Sequence, residues 1–198
     1  MYWYEDEVKR LENDRDKMGY EPESIFYGSS SIRLWTTLYA DFEDIKPINL
    51  GFGGSTLAAC DWFFERIMQP FNPKRMIIYA GDNDLGDGRH PEEVLIFFQE
   101  LAVKIEKRFG NLNCYFISLK PSLSRWGIVD QFIQANNLIE SEINKYDKNW
   151  HFIDVFTQMV DETGHPKNDF FVTDGLHLSE KGYELWKEAI YNSLTVNH

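Results

Sequence analysis

Cysteine is scarce in this sequence, with only Cys60 and Cys114 among 198 residues. Neither cysteine has the spacing of a metal-binding motif, and both fall in apolar helix or strand patterns, so we interpret them as reduced core residues. Long apolar runs are also missing, and none approaches the length of a membrane span. The first 18 residues are highly charged and lack the apolar segment of a signal peptide. The default expectation is therefore a cytoplasmic protein without a membrane span.

Basic residues are few, since 20 Lys and Arg stand against 32 Asp and Glu and give a net charge of -12 at pH 7. Nucleic-acid binding depends on neutralising phosphates, so this charge argues against a nucleic-acid partner. The aromatic content of 16% and the hydrophobic content of 43% are sufficient for a packed core. We expect one α/β domain over residues 1–198, in which residues 1–18 form an extra N-terminal helix.

Short apolar runs alternate with helical patterns along the chain. The runs are rich in Ile, Phe and Tyr, which is typical of buried parallel strands, and they cover residues 24–28, 45–52, 75–81, 113–119 and 150–156. Helices are predicted over residues 57–68, from Pro91 to a stop at Gly110, over 129–146 and over 180–194. This series predicts an open parallel sheet with helices on both faces.

Ligands of open α/β sheets bind beyond the carboxyl ends of the strands, so the residues that follow each strand are the candidates for function. Three serines, Ser29 to Ser31, follow the first strand. A glycine before them permits a sharp turn, and the next helix presents backbone N–H groups to developing negative charge. Ser30 or Ser31 fits the position of a nucleophile. The alternative is that the serines only cap the helix.

A serine nucleophile needs a base to take its proton. His177 stands three residues after Asp174, just before the last predicted helix. This spacing lets the carboxylate reach the imidazole, fix its tautomer and stabilise the imidazolium. His165, in a polar loop, is a less suitable base. The alternative for the pair is a turn cap at Asp174 and a surface histidine.

Oxyanion donors are the third requirement of acyl transfer. Gly54, after the second strand, could offer an unobstructed backbone N–H, and Asn83, after the third strand, could offer its side-chain amide. Taken singly, a glycine-rich turn and an Asx turn explain these residues as well. The coincidence favours chemistry, because nucleophile, donors and acid–base pair occur in order after strands that end at one edge.

At these positions the sequence resembles the SGNH hydrolases, also called GDSL esterases and lipases. The family's four blocks have counterparts in order at residues 28–30, 49–54, 81–84 and 174–177. The resemblance covers about residues 24–194 and is closest to members similar to platelet-activating-factor acetylhydrolases. It implies a flavodoxin-like three-layer α/β/α sandwich with a five-stranded parallel sheet. One departure is Ser29, which stands where the family has Asp.

The resemblance implies a serine esterase that hydrolyses short-chain carboxylic esters through an acyl-enzyme. Ser30 would be the nucleophile and, with Gly54 and Asn83, an oxyanion donor, while His177 and Asp174 would complete the triad. The expected partner is a small-molecule ester, and no metal or cofactor is required. Two alternatives are a carbohydrate O-acetylesterase of the same fold and a catalytically silent ligand-binding module.

The segment after the fourth strand offers two further residues. Arg125 and Trp126 could line the substrate pocket, or they could belong to an exposed loop with the arginine directed to solvent. Trp126 and Trp35 would suit stacking on a sugar, although both could equally be core residues. An intact set of four blocks speaks against the silent module.

Overall fold

The computed structural model describes residues 1–15, 17–146 and 149–196. Five parallel strands form one sheet in the order β2-β1-β3-β4-β5, with bounds β1 Ser24–Gly28, β2 Pro47–Gly51, β3 Arg75–Tyr79, β4 Asn113–Ile117 and β5 Trp150–Ile153. This is the flavodoxin-like order, in which the chain leaves β1 in one direction for β2 and then crosses back to β3. The predicted fold class is confirmed.

Helices flank the sheet on both faces. They are α1 Glu5–Arg15, α2 Ser30–Arg33, α3 Leu38–Asp41, α4 Leu57–Met68, α5 Asp82–Gly86, α6 Pro91–Phe109, α7 Val129–Ile143, α8 Phe156–Met159 and α9 Glu180–Val196. Short 3₁₀ turns cover Tyr2–Tyr4, Glu43–Ile45, Leu123–Ile128 and Asn168–Phe170.

Neighbouring residues of β1 show how the two faces are covered, because successive side chains of a strand point to opposite sides. The Tyr27 hydroxyl donates to the Cys60 carbonyl of α4 at 2.6 Å. Phe26 instead packs against Trp35, which lies 6.2 Å from Trp186 of α9 between ring centroids. All of β1 is buried, as a strand sandwiched between two helical layers must be.

Several predicted boundaries were wrong by a few residues, and two of them have a local cause in the structure. Strand β2 begins at Pro47 rather than residue 45, because residues 43–45 form a 3₁₀ turn that ends with Lys46 at a φ of +47°. Strand β5 ends at Ile153 rather than residue 156, because the next amides turn towards the Ser118 hydroxyl. Strands β3 and β4 each end two residues early, and α7 ends at residue 143 rather than 146.

The N-terminal helix predicted over residues 1–18 is shorter in the structure, where α1 follows a 3₁₀ turn at Tyr2–Tyr4. Asp16 lies outside the described residues.

Both cysteines are buried free thiols, Cys60 in α4 and Cys114 in β4. Within the described ranges, no helix is long and apolar enough to cross a bilayer.

The register of the central strands sets the position of the candidate site. Gly28 at the end of β1 is opposite Gly51 of β2 on one side and Tyr79 of β3 on the other. The loops after these three strands therefore leave the sheet at one level. The order of strands also reverses here, which is where open α/β sheets form their ligand crevice.

Candidate active site

Strand β1 ends in a turn that accepts only glycine. Gly28 has a φ of +147°, and a Cβ atom there would lie 1.8 Å from the Tyr79 carbonyl oxygen on β3. The amide of Ser29 donates to that same oxygen at 2.9 Å. This close approach bends the chain out of the sheet, and α2 begins immediately afterwards at Ser30.

The three serines lie in different surroundings. Ser29 and Ser31 are buried, and their hydroxyl oxygens have no hydrogen-bond partner among the residues that the structure describes. Ser30 is half-buried, and its Oγ lies 3.1 Å from Nε2 of His177. No side-chain hydrogen bond caps α2. The capping alternative for the serine cluster is therefore not observed, and Ser30 is the serine that meets a base.

Asp174 and His177 lie on a tight loop before α9. The backbone closes this loop through hydrogen bonds from Val172 N to the His177 carbonyl and from Gly175 N to the Val172 carbonyl, both at 2.9 Å. One carboxylate oxygen of Asp174 accepts the amides of Leu176 and His177 at 2.8 and 2.9 Å. The other lies 2.6 Å from Nδ1 of the His177 ring. Asp174 therefore both caps the turn and orients the imidazole.

The charge on Asp174 suits this second role. Partial burial would raise the pKa of the Asp174 carboxyl, but hydrogen bonds from the His177 ring and from the His177 and Leu176 amides lower that pKa to about 2. The ionised carboxylate accepts the Nδ1 proton of His177. The Nε2 lone pair is then directed at Ser30, which is the tautomer that a general base requires.

The predicted oxyanion donors follow β2 and β3. Gly54 is exposed and has a φ of +67°, and its carbonyl accepts a hydrogen bond from the Tyr4 hydroxyl at 3.0 Å. Within the described ranges, no hydrogen bond engages the N–H of Gly54 or of Ser30. The Asn83 side chain donates from Nδ2 to the Ser55 carbonyl at 3.0 Å. Two backbone donors without a described partner and one side-chain amide thus lie at the end of the sheet that carries Ser30.

The segment of residues 51–54, called the glycine loop below, is held by the N-terminal helix. Glu7 of α1 accepts the Gly53 amide at 3.1 Å, and Arg10 donates to the Gly51 carbonyl at 2.8 Å. Arg33 of α2 pairs with the same Glu7 carboxylate at 3.0 Å. Sequence reasoning missed these residues and Tyr4, because a charged helical pattern indicates a helix without indicating which loop it will contact.

Asp84 follows Asn83 directly, where the sequence favours a structural carboxylate over a catalytic one. Its buried carboxylate accepts the amides of Leu57 and Ala58 at 2.6 and 3.4 Å and pairs with Arg89 at 3.2 Å. Burial raises the pKa of the Asp84 carboxyl to about 6, and the two amides and Arg89 lower it only in part. The side chain joins the start of α4 to the turn that carries Asn83.

A buried charged cluster lies behind the same turn. Asp82 accepts hydrogen bonds from Lys120 at 2.9 Å and from the Tyr79 hydroxyl at 3.0 Å, and all three side chains are almost fully buried. Burial would raise the pKa of the Asp82 carboxyl, but the charges of Lys120 and Arg125 hold it below its usual value. Asp82 is therefore ionised and fixes the turn from the inside.

Arg125 and Trp126 lie in the 3₁₀ segment after β4. Arg125 Nη1 donates to the Asp82 carbonyl and Nη2 to Asn83 Oδ1, each at 2.8 Å. The half-buried Trp126 ring is 4.8 Å from the His165 ring, so His165 lies against this segment and not at Ser30. The pocket-lining role of both residues stays a prediction. Trp35 is 1% exposed, which makes it a core residue.

Comparison with families of known proteins gives one match. The family of GDSL-like lipases and acylhydrolases matches residues 19–185, which includes all four sequence blocks. No curated protein sequence matches the chain.

Solved structures share the fold at low sequence identity. A candidate platelet activating factor from Streptococcus pneumoniae has a TM-score of 0.84 at 18% identity, with 98% of this chain and 95% of that chain covered. A GDSL-like lipase from Bacteroides thetaiotaomicron has a TM-score of 0.77 at 18% identity, with 96% and 98% covered. A carbohydrate esterase family 3 protein from Talaromyces cellulolyticus has a TM-score of 0.72 at 13% identity, with 87% and 96% covered.

Proposed function

The chain belongs to the GDSL-like lipase/acylhydrolase family, a group of hydrolases acting on esters, and on this basis we propose that it cleaves carboxylic esters with a Ser30–His177–Asp174 triad. One observation carries the proposal. Ser30 Oγ donates to His177 Nε2 at 3.1 Å, and His177 Nδ1 donates to Asp174 at 2.6 Å. Ser30 and His177 are 147 residues apart in the sequence. Distant segments rarely meet in this arrangement unless it is used.

The reaction follows from these contacts. Ser30 attacks the ester carbonyl carbon while its proton passes to His177 Nε2, and Asp174 stabilises the imidazolium. The tetrahedral oxyanion accepts hydrogen bonds from the Ser30 and Gly54 amides and from the Asn83 side chain. The bond to the alcohol oxygen then breaks, and the alcohol leaves with the proton from His177. Water, activated by His177, releases the acid from the acyl-enzyme.

We further propose that acetyl to butyryl esters of neutral alcohols are the best substrates. A long acyl chain needs an apolar cleft, at about 0.8 kcal/mol for each CH₂ buried. The stretch of residues 157–174, which includes the end of α8 and one 3₁₀ turn, is mostly exposed and polar, so it offers few side chains for such a cleft. The net charge of -12 also disfavours the approach of anionic esters.

Labelling with a fluorophosphonate, a covalent probe of activated serines, tests the triad. Wild-type protein should be labelled, and Ser30→Ala should lose the label. Ser29→Ala and Ser31→Ala are matched controls that should keep it, because each removes a buried hydroxyl without a described partner. Absence of labelling in the wild type would favour the silent binding module. Loss of the label in Ser31→Ala but not in Ser30→Ala would move the nucleophile by one residue.

A panel of esters tests the substrate range. We expect kcat/KM to be highest for p-nitrophenyl acetate to butyrate and to fall towards palmitate. Values that rise beyond octanoate would indicate an apolar channel and a lipase. Acetylated xylose forms the second arm, for the carbohydrate O-acetylesterase alternative. Since Trp35 is buried in the core, Trp126 is the remaining candidate for sugar stacking of the two predicted tryptophans.

A further inference from the structure

The guanidinium of Arg125 lies across the turn that carries Asn83. Nη2 donates to Asn83 Oδ1 at 2.8 Å, and Nη1 donates to the neighbouring Asp82 carbonyl at 2.8 Å. At the opposite end of the same amide, Asn83 Nδ2 donates to the Ser55 carbonyl at 3.0 Å. Both ends of the Asn83 side chain are therefore held, one by a cation and the other by a carbonyl oxygen.

The two ends of an asparagine amide have the same shape and differ only in hydrogen bonding. The nitrogen end donates and the oxygen end accepts, so an oxyanion can be stabilised only when Nδ2 faces it. Arginine carries donors alone, and a flipped amide would place NH₂ against the Arg125 guanidinium. The charge-assisted hydrogen bond from Arg125 to Oδ1 thus favours, together with the Ser55 carbonyl, the orientation in which the second hydrogen of Nδ2 is available to an oxyanion.

Arg125 is itself held in place by its surroundings. Its Nη1 lies 3.6 Å from the buried Asp82 carboxylate, which Lys120 and Tyr79 anchor. Gly86 leaves room for the guanidinium, since a Cβ atom at that position would lie 2.8 Å from three of its atoms. The guanidinium therefore has one defined position over the turn.

The backbone next to Arg125 is tied to the opposite side of the site. The amide of Ser124 donates to the Gly175 carbonyl at 3.1 Å, in the loop of Asp174 and His177. One short segment thus contacts both the acid–base loop and the turn of Asn83.

We propose that Arg125 is a positioning residue that fixes the Asn83 amide with Nδ2 towards the oxyanion. This inference depends on the proposed function, in which Asn83 is an oxyanion donor. Arg125 acts through Asn83 and does not contact the reacting atoms. Its effect should consequently appear in kcat, where the transition state is stabilised, and disappear when Asn83 is removed.

A double-mutant cycle tests the coupling, with kcat and KM measured on p-nitrophenyl acetate for wild type, Arg125→Ala, Asn83→Ala and the double variant. Asn83→Ala should lower kcat by roughly 10²–10³-fold. Arg125→Ala should lower kcat by roughly 10- to 100-fold with KM almost unchanged, the range expected when a hydrogen bond from a charged group is lost. In the Asn83→Ala background the Arg125 change should cost less than about twofold.

Two further measurements separate positioning from general damage. Added guanidinium ion should restore part of the kcat of Arg125→Ala, and Arg125→Lys should retain intermediate activity because it keeps a donor near Asn83. The matched control is Arg108→Ala, since Arg108 also donates to a carbonyl, that of Gln69 at 2.6 Å, from the end of α6. This control should leave kcat unchanged. If Arg125→Ala does not fold, the same cycle is run with Arg125→Lys.

Several results would overturn the inference. Multiplicative losses in the double variant, or a rise in KM with kcat unchanged, would show that Arg125 does not work through Asn83. An equal loss in Arg108→Ala would reduce the effect to general destabilisation. An inactive wild type would contradict the proposed function and this inference together, whereas an active wild type with multiplicative losses would contradict the inference alone.

Discussion

The two sides of the candidate site are built in different ways. The acid–base side is one loop, in which Asp174 and His177 are three residues apart and most hydrogen bonds join residues 172–177, with one more from the Ser124 amide to the Gly175 carbonyl. The oxyanion side consists of the glycine loop and the Asn83 turn. Its supports come from α1, from α2 and from the segment after β4, and the hydrogen bonds from α1 and from that segment join residues 41 to 46 positions apart in the sequence.

Two aspartates, one on each side, differ in the direction in which their pKa is shifted. Asp174 is exposed, and its pKa is lowered to about 2 despite partial burial, because His177 and two amides hydrogen-bond to it. Asp84 on the oxyanion side is buried, and burial raises its pKa to about 6. The Asp174 carboxylate thus stays ionised down to low pH, whereas ionisation of the buried Asp84 carboxyl costs folding free energy.

The largest effect should come from the acid–base side. His177→Ala removes the proposed general base, so kcat should fall by roughly 10⁴–10⁶-fold. Thermal stability should change little, because the ring is half-buried on a surface loop. Steady-state kinetics and a thermal melt measure both quantities. His165→Ala is the control and should retain activity. If His165→Ala were the inactive variant instead, His165 rather than His177 would be the general base.

A smaller effect should come from the supports of the glycine loop. Glu7→Ala removes the acceptor of the Gly53 amide, so the Gly54 donor should be held less firmly and kcat should fall by about tenfold at most. Glu12→Ala is a matched control on the same helix, since Glu12 pairs with Arg66 at 2.8 Å and has no described contact with the loop. Equal losses in the two variants would show that α1 acts only through overall stability.

The smallest effect concerns stability and pH. Because the folded pKa of Asp84 is above its ordinary value, the native state binds more protons than the unfolded state between about pH 4 and pH 6. Wild-type protein should therefore lose stability relative to Asp84→Asn as the pH rises through this window, by about 3 kcal/mol at most. Denaturant unfolding at pH 4, 5 and 6 measures the difference.

Asp174→Asn is the control for this experiment. The folded pKa of Asp174 is lowered, so its contribution is present above about pH 4 and is lost only as the pH falls towards 2. Between pH 4 and pH 6 the difference between wild type and Asp174→Asn should be constant. A pH-dependent difference for Asp174 and none for Asp84 would reverse the comparison of the two sides.

The sequence was sufficient to predict the parallel sheet, because buried strands leave continuous apolar runs that do not depend on distant residues. It was also sufficient to select residues 30, 174 and 177, which the structure brings within hydrogen-bond distance. The contacts that support the oxyanion side could not be predicted from the sequence. Glu7 looks like an ordinary surface charge in the sequence, and Arg125 could be named as a candidate without its partner Asn83, because such partners are decided only when the elements pack together.

The contact between Tyr4 and Gly54 has a practical consequence for anyone who produces the protein. The Tyr4 hydroxyl donates to the Gly54 carbonyl of the glycine loop, so only three residues would separate a tag fused ahead of Met1 from this contact. Tyr2 and Trp3 beside it are 90% and 74% exposed and would meet such a fusion first. Specific activities from N-terminally tagged material should therefore be compared only with those of the cleaved protein.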